Sequence, residues 1–320
     1  MNESRSGRLS WPYPRHKHFE KILRRAATAW FASRNLPVRP KMPYIPSRWE
    51  DWPANIILPP VAEYICREHT ERASQQKGFP LHDYLHHGLS SQAMLFNLVG
   101  PLILANDLRP IQAAFEGQEI AWPQGRVLAS FEYDDRTVFN EDAGHPTSVD
   151  LILKDEAGYP KLFVESKLVE KEFGGCTLFR DGDCEGRNPT GDLGRCYLHH
   201  IGRRYWQVLE KHGFMTGKAA RESFCILAIH YQFFREFLFA LERGGSFVLL
   251  SDDRSPTFFC HGPMGKRGLM PLLLSFVPEP LRDRIGMVSI QQVVAAIKES
   301  ERHGWIAQFE MKYGMTAQKP

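Results

Sequence analysis

The chain has 320 residues, 43% of them hydrophobic, and a formal net charge of +3, so it is long enough to bury one large core or two modest ones. It contains no run of 18 apolar residues, so no membrane span is expected, and its first residues lack the apolar segment of a secretory signal. The six cysteines stand at irregular positions, which does not suggest a disulfide scaffold in a chain of this length. We therefore expect a cytoplasmic protein with no membrane partner.

The first 60 residues differ in composition from the rest of the chain. Lys and Arg outnumber the acidic residues over positions 1–50, with aromatic side chains interleaved among them, a combination that suits a phosphate backbone. An arm packed over the body of the protein, with its charges in water, is the alternative. Prolines are dense over residues 36–60 and predict an extended strap. We expect a basic N-terminal arm at residues 1–60 and one main domain at residues 61–320.

Two helices and a strand are predicted ahead of the most informative segment. Residues 61–73 have a helical pattern, and residues 90–102 form a helix that is apolar almost all round, which predicts deep burial. A strand is predicted over residues 127–133, and it carries Glu132. We interpret Glu132 either as a further acidic ligand or as a surface charge at the end of a strand.

Residues 147–167 place charged side chains inside two apolar, β-prone runs. Asp150 stands in the first run, and Glu165 and Lys167 stand in the second, although charge in a buried strand is costly unless it is paired or bound to metal. A polar turn at residues 154–160 joins the runs into a hairpin, and a register in which paired numbers sum to 315 places Asp150 opposite Glu165. Facing carboxylates repel unless a hard cation, Mg²⁺ or Mn²⁺, joins them. The hairpin therefore predicts a divalent-metal site beside Lys167; solvated acids with a salt bridge to Lys167 are the alternative.

The order of these segments resembles the PD-(D/E)xK nuclease superfamily, and within it a restriction-endonuclease-like branch. The likeness rests on Asp150, a spacer of 14 residues and Glu165-x-Lys167, together with the flanking helices and strands, and it covers roughly residues 80–300. Val149 stands where a proline commonly precedes the aspartate. The resemblance implies an α/β fold with a restriction-endonuclease-like core, α-β-β-β-α-β, whose mixed central sheet is flanked by helices.

The resemblance also implies roles for individual residues. Asp150, Glu165 and the backbone carbonyl of Ser166 would hold Mg²⁺ or Mn²⁺, and Lys167 would position or activate the attacking water. Gln207, one turn into a later helix, would face the site, with a solvated helix face as the alternative.

The implied function is that of a Mg-dependent endodeoxyribonuclease, a hydrolase that cuts phosphodiester bonds, acts on duplex DNA and serves restriction or defence. Cutting both strands usually needs two sites, which favours a homodimer. The alternatives are a nuclease-like module that binds nucleic acid or a partner without cutting, and a hydrolase that acts on RNA or a nucleotide instead of duplex DNA.

Residues 174–200 are rich in glycine and cysteine and form an insertion too long for an ordinary loop. A structural Zn²⁺ held by Cys176, Cys184, Cys196 and His199 would order such a loop. Free buried cysteines are the alternative.

The last third of the chain is predicted to be regular structure. Residues 223–231 form a continuous apolar run and predict a buried strand, and residues 233–241 predict a helix. Residues 246–250 predict a further strand, and residues 290–299 an amphipathic helix.

Overall fold

The computed structural model of the protein describes residues 11–75, 77–142, 144, 146–263 and 265–316. Its α-helices are, in chain order, α1 (His16–Ser33), α2 (Pro59–Ser74), α3 (Ser91–Leu104), α4 (Arg109–Glu116), α5 (Thr177–Arg180), α6 (Tyr197–His200), α7 (Tyr205–Lys211), α8 (Lys218–Arg221), α9 (Ile226–Glu242), α10 (Leu269–Leu274), α11 (Ile290–Glu299) and α12 (Ile306–Lys312). Its strands are β1 (Val38–Arg39), β2 (Met42–Pro46), β3 (Leu128–Asp134), β4 (Ser148–Lys154), β5 (Pro160–Lys167), β6 (Ser246–Ser251), β7 (Cys260–Gly262), β8 (Gly265–Arg267) and β9 (Ile285–Ser289). Short 3-10 helices cover Trp49–Asn55, Leu193–Arg195, Phe214–Thr216 and Glu279–Arg284.

A five-stranded sheet in the order β3-β4-β5-β6-β9 lies at the centre of the protein. β3, β4 and β5 pair antiparallel, whereas β5 pairs parallel with β6 and β6 parallel with β9. Helices flank the sheet because its strands are apolar on both faces and each face needs a cover. The prediction of an α/β fold with a mixed central sheet flanked by helices is confirmed.

Alternate residues of the strands contribute to two hydrophobic clusters. In β5, Leu162 and Val164 belong to a cluster that includes residues of α1, α2, α3, α4, α11 and α12. Phe163 belongs to a second cluster that includes residues of α7, α9 and α10. This period of two is the geometry of an extended strand, and it places Glu165 and Lys167 on the same face as Phe163, towards α9.

The predicted N-terminal arm contributes to the first cluster. Phe19 and Trp30 of α1 and Trp52 of the first 3-10 helix are buried there, whereas Trp11 is 54% exposed. Residues 11–60 therefore contain segments that pack over the body of the protein, as in the alternative given above for the arm. The first ten positions of the arm lie outside the described residues. The predicted strap contains the β1–β2 hairpin and a 3-10 helix instead of a single extended run.

The prediction of a strand over residues 223–231 is wrong, because helix α9 begins at Ile226 and continues to Glu242. A short apolar run has the same sequence pattern in a buried strand and in a buried helix. Here the run forms a helix, whose buried residues pack in the second cluster. His230 has non-helical backbone angles, φ −127° and ψ 40°, which kink α9 after its first turn. The strand that follows the helix in the chain is β6, as predicted for residues 246–250.

The hairpin register agrees with its prediction at three successive pairs. Residues of β4 and β5 pair as Leu151 with Val164, Ile152 with Phe163 and Leu153 with Leu162, so each pair of numbers sums to 315. The register shifts after Leu153, and Lys154 pairs with Pro160, so the predicted register is wrong at the pair next to the turn. The predicted helices at 61–73, 90–102 and 290–299 correspond to α2, α3 and α11. Among the described residues, no helix combines the length and the apolar character that crossing a bilayer requires.

Candidate active site

Three carboxylates lie in a row across the antiparallel part of the sheet. In the β3–β4 pairing, Phe131 faces Leu151 and Tyr133 faces Val149, which sets Glu132 opposite Asp150. The β4–β5 register then continues the row from Asp150 to Glu165. Glu132 and Glu165 are 4% and 3% exposed, whereas Asp150 between them is half-buried, so the row meets solvent at its middle member.

The row lines a cavity of about 690 Å³ that is also bordered by residues of helices α1, α3 and α9 and of strand β2. Helix α3 contributes Gln92 to the wall, and α9 contributes Gln232 and Glu236. The volume of the cavity leaves room for a phosphodiester group and its water, because a single water occupies about 30 Å³ in the liquid.

Lys167 and Glu165 form an ion pair at the centre of a hydrogen-bonded network. The Lys167 ammonium lies 2.8 Å from Glu165 Oε1 and donates to Gln232 Oε1 at 2.9 Å. The Gln232 amide donates in turn to Glu165 Oε1 at 2.6 Å. Gln232 follows the kink at His230 by two residues, so the kink determines which face of α9 presents this amide to the strand.

The other two acids are held by separate donors. Asp150 Oδ2 accepts from the backbone N–H of Ser166 at 2.8 Å. Glu132 Oε1 accepts from Gln92 Nε2 at 2.7 Å. Glu132 has a positive φ of 51° in the middle of a strand, a conformation that costs about 1–3 kcal/mol for a residue with a side chain. Backbone strain at a residue facing a cavity is typical of a functional site.

Burial and mutual repulsion raise the pKa values of these acids. Burial raises the pKa of Asp150 well above its ordinary value, and the charges of Glu165 and Glu132 raise it further. Burial raises the pKa of Glu132 to about 8, with the Glu165 charge adding to the effect. Burial likewise raises the pKa of Glu236 well above its ordinary value.

Lys167 responds in the opposite sense. Burial disfavours its charged form, but Glu165, Glu170 and Glu236 together outweigh burial and raise the pKa of Lys167 above its ordinary value. The ammonium is therefore protonated at neutral pH and acts as a positive charge and a hydrogen-bond donor.

The donor set suits a hard divalent cation. Glu236 Oε2 is buried without a hydrogen-bond partner among the described residues, and the acids that line the same cavity supply further oxygen ligands. Within that part of the chain, no group of three or more His, Cys, Asp and Glu side chains is already arranged to hold a metal ion. Mg²⁺ commonly uses only one or two carboxylates and completes its shell with water and substrate phosphate, so the pair Asp150 and Glu165 fits it.

Gln207 is not brought to this cavity. It lies on α7, and its amide approaches His199 Nδ1 at 3.4 Å. The amide that reaches Glu165 and Lys167 belongs to Gln232 instead. Its signal in the sequence is the spacing of Gln232 and Glu236 by four residues within a run of phenylalanines, which puts two polar groups on one helix face. The strand predicted up to residue 231 concealed this periodicity.

The predicted zinc ligands are divided between two places. Cys176, Cys184 and Cys196 line a second cavity of about 260 Å³, together with Cys225 from the start of α9. His199 is not among the lining residues and instead approaches Gln207.

The comparisons with known proteins give one match. A family model described as Restriction Endonuclease associating with ARP matches residues 24–314, a segment that contains the three carboxylates, Lys167 and the four cysteines of the second cavity. No curated protein and no solved structure matches the chain. Because the family model matches most of its length, the chain belongs to the family of restriction endonucleases associating with ARP.

Proposed function

We propose that the protein is a metal-dependent endodeoxyribonuclease of the PD-(D/E)xK type that acts in restriction or defence. One observation carries the proposal: three carboxylates, two buried and the middle one half-buried, line an open cavity, and Lys167 is paired to the last of them. Membership of a restriction-endonuclease family makes a nuclease-related role the natural context for this chemistry.

The chain order of the core supports a restriction-endonuclease-like topology. Helix α3 precedes the three antiparallel strands β3, β4 and β5, and α9 separates β5 from the parallel strand β6. This order corresponds to the α-β-β-β-α-β core that the sequence resemblance implies. Asp150 and Glu165 then stand on neighbouring central strands, where the superfamily carries its acids.

Asp150, Glu165 and the backbone carbonyl of Ser166 would hold Mg²⁺ or Mn²⁺, with Glu132 next to them as a further acid. When bound, the cation supplies Lewis acidity and lowers the pKa of a coordinated water. Lys167 is protonated, so its part is to donate to the attacking water or a phosphate oxygen and to offset the negative charge that develops there. Gln232 positions Lys167 and Glu165 relative to one another through its two hydrogen bonds.

Residues further along the cavity wall suit a nucleic-acid strand. Arg24 and Tyr84 line the same cavity as the acids, and Tyr84 is 64% exposed. A guanidinium favours phosphate and an exposed aromatic ring favours stacking with a base. We propose duplex DNA as the substrate and a homodimer as the unit that cuts both strands.

Cleavage of supercoiled plasmid DNA tests the proposal. The wild-type chain is expected to nick or linearise plasmid with Mg²⁺ or Mn²⁺ and to be inactive with chelator. Asp150→Asn and Lys167→Met are expected to lose at least about a hundredfold in rate, because each removes charge stabilisation at the reacting centre. Glu156→Gln, an exposed acid in the turn of the same hairpin, is the matched control. Equal cleavage by Asp150→Asn and wild type would contradict the proposal.

A module that binds without cutting is the second candidate, favoured by a family description that names an association. Calorimetry with Mn²⁺ separates the two candidates. Binding that is lost in Glu165→Gln supports the nuclease, whereas a wild-type chain that neither binds Mn²⁺ nor cuts DNA supports the binding module.

A further inference from the structure

Four of the six cysteines surround one cavity that is separate from the carboxylate site. Cys176, Cys184 and Cys196 come from the insertion at residues 174–200, and Cys225 is the residue that precedes helix α9. The remaining two, Cys66 and Cys260, do not line this cavity. The spacing of cysteines in the sequence did not identify Cys225 as a fourth member of this group, because 28 residues separate it from Cys196.

Backbone hydrogen bonds bring these cysteines together. The N–H of Cys176 donates to Ala228 O at 3.0 Å, which ties the first cysteine to the start of α9. The N–H of Cys225 donates to Gly186 O at 2.7 Å, which ties the fourth cysteine to the segment just after Cys184. These bonds bring cysteines that are distant in the sequence to the wall of one cavity.

Each sulfur also faces N–H donors. The N–H of Gly186 donates to Cys184 Sγ at 3.4 Å, and Trp206 Nε1 donates to Cys196 Sγ at 3.2 Å. Burial raises the pKa of the Cys176 thiol, and hydrogen bonds from the backbone of Phe179 and Leu178 oppose the rise.

The fourth thiol repeats this pattern. Burial raises the pKa of Cys225 to about 12, and the backbone of Ala228 and Leu227 opposes it in the same way. Donors aimed at sulfur stabilise thiolates, and such outer groups are typical of metal-bound cysteines.

The insertion has little hydrophobic core to hold it. Helices α5 and α6 and the 3-10 helix Leu193–Arg195 contain no buried residue. Arg187 and Arg195 line the cavity beside the thiols together with Asp183 and Glu185; Arg187 is paired with Glu185 at 2.7 Å, so Arg195 would offset part of the double negative charge of a cation bound by four thiolates. A segment with few apolar contacts is a common setting for a structural metal.

We propose that Cys176, Cys184, Cys196 and Cys225 bind one structural Zn²⁺ as a tetrahedral four-thiolate site. Binding releases the four thiol protons to solvent and involves no redox change. Among the described residues, no three such side chains are already arranged to hold a metal ion, so the proposal requires the four thiols to approach one another until they reach Zn–S distances of about 2.3 Å. The set contains Cys225 in place of the predicted His199.

Metal analysis of the full-length, untagged chain tests this site. Protein purified without chelator is expected to contain one zinc per chain by elemental mass spectrometry. Replacement by Co²⁺ is expected to give the intense visible and near-ultraviolet bands of tetrahedral thiolate coordination. Both measurements use the wild-type chain, so they do not depend on a variant that folds, and neither depends on DNA cleavage.

Variants then identify the ligands. Cys184→Ser and Cys225→Ser are expected to lose the zinc and the Co²⁺ bands, whereas Cys66→Ser, the matched control, and His199→Ala retain them. A wild-type chain that binds neither Zn²⁺ nor Co²⁺ under reducing conditions would overturn the site. Loss of metal in His199→Ala with retention in Cys225→Ser would overturn this ligand set.

Discussion

The buried carboxyl of Glu132 gives the protein an unusual dependence of stability on pH. Its pKa is raised from 4.5 to about 8 by burial first and by the Glu165 charge second. Between these two pH values the unfolded chain loses the proton while the folded chain keeps it, so the free energy of unfolding decreases as pH rises. One group contributes a decrease of about 1.4 kcal/mol per pH unit, which amounts to about 5 kcal/mol over the whole window.

Glu132→Gln removes this contribution and preserves the shape of the neutral acid. The amide oxygen still accepts from Gln92, as the carboxyl does at 2.7 Å. We expect the variant to be nearly as stable as the wild type at pH 5, more stable by about 3 kcal/mol at pH 7 and by about 5 kcal/mol at pH 9. Glu132→Gln also removes the contribution of the Glu132 charge to the raised pKa of Asp150, so the difference between the two proteins measures Glu132 together with its coupling to Asp150.

Urea unfolding followed by tryptophan fluorescence, in chelator and at several pH values, measures this difference. Glu156→Gln is the control, because it changes an exposed acid in the hairpin turn and is expected to follow the wild type at each pH. A gap between Glu132→Gln and the wild type that is the same at pH 5 and pH 9 would refute the reasoning. So would a variant that is less stable than the wild type at pH 9.

Three further outcomes are expected. Gln232→Leu removes both hydrogen bonds to the Lys167–Glu165 pair. It is expected to slow plasmid cleavage by roughly ten- to a hundredfold and to leave the circular dichroism spectrum unchanged. An unchanged cleavage rate would show that Gln232 does not position the pair. Mn²⁺ affinity, measured by calorimetry, is expected to rise between pH 6 and pH 8.5, because the cation must displace protons held by acids of raised pKa; a flat profile would show that those acids are not ligands. Asn97→Ala is expected to lower the free energy of unfolding by about 2–4 kcal/mol. The Asn97 side chain accepts from Ile57 N at 2.7 Å and donates to Asn55 O and Tyr313 Oη at 3.0 Å, and all three hydrogen bonds are buried. A loss under about 0.5 kcal/mol would show that these hydrogen bonds do not stabilise the fold.

The sequence alone determined the local features of the proposed site. Alternation of apolar residues and a polar turn predicted the hairpin, and its register agrees with the structure at all three pairs from Leu151–Val164 to Leu153–Leu162. Helices α3 and α11 were also predicted from local signals, α3 from a long run that is apolar almost all round and α11 from its amphipathic pattern. The charged residues Asp150, Glu165 and Lys167 could be recognised from the sequence because they interrupt apolar, β-prone runs.

Only the tertiary structure decided which distant groups complete each site. Packing against the sheet turned the apolar run at residues 223–231 into the start of α9, and that single change brought Gln232 to Lys167 and Cys225 to the insertion. The pKa of Glu132 likewise depends on burial between elements far apart in the chain. Local sequence encodes backbone preference over a few residues, whereas burial and the convergence of side chains arise from contacts that form only when the whole chain has packed.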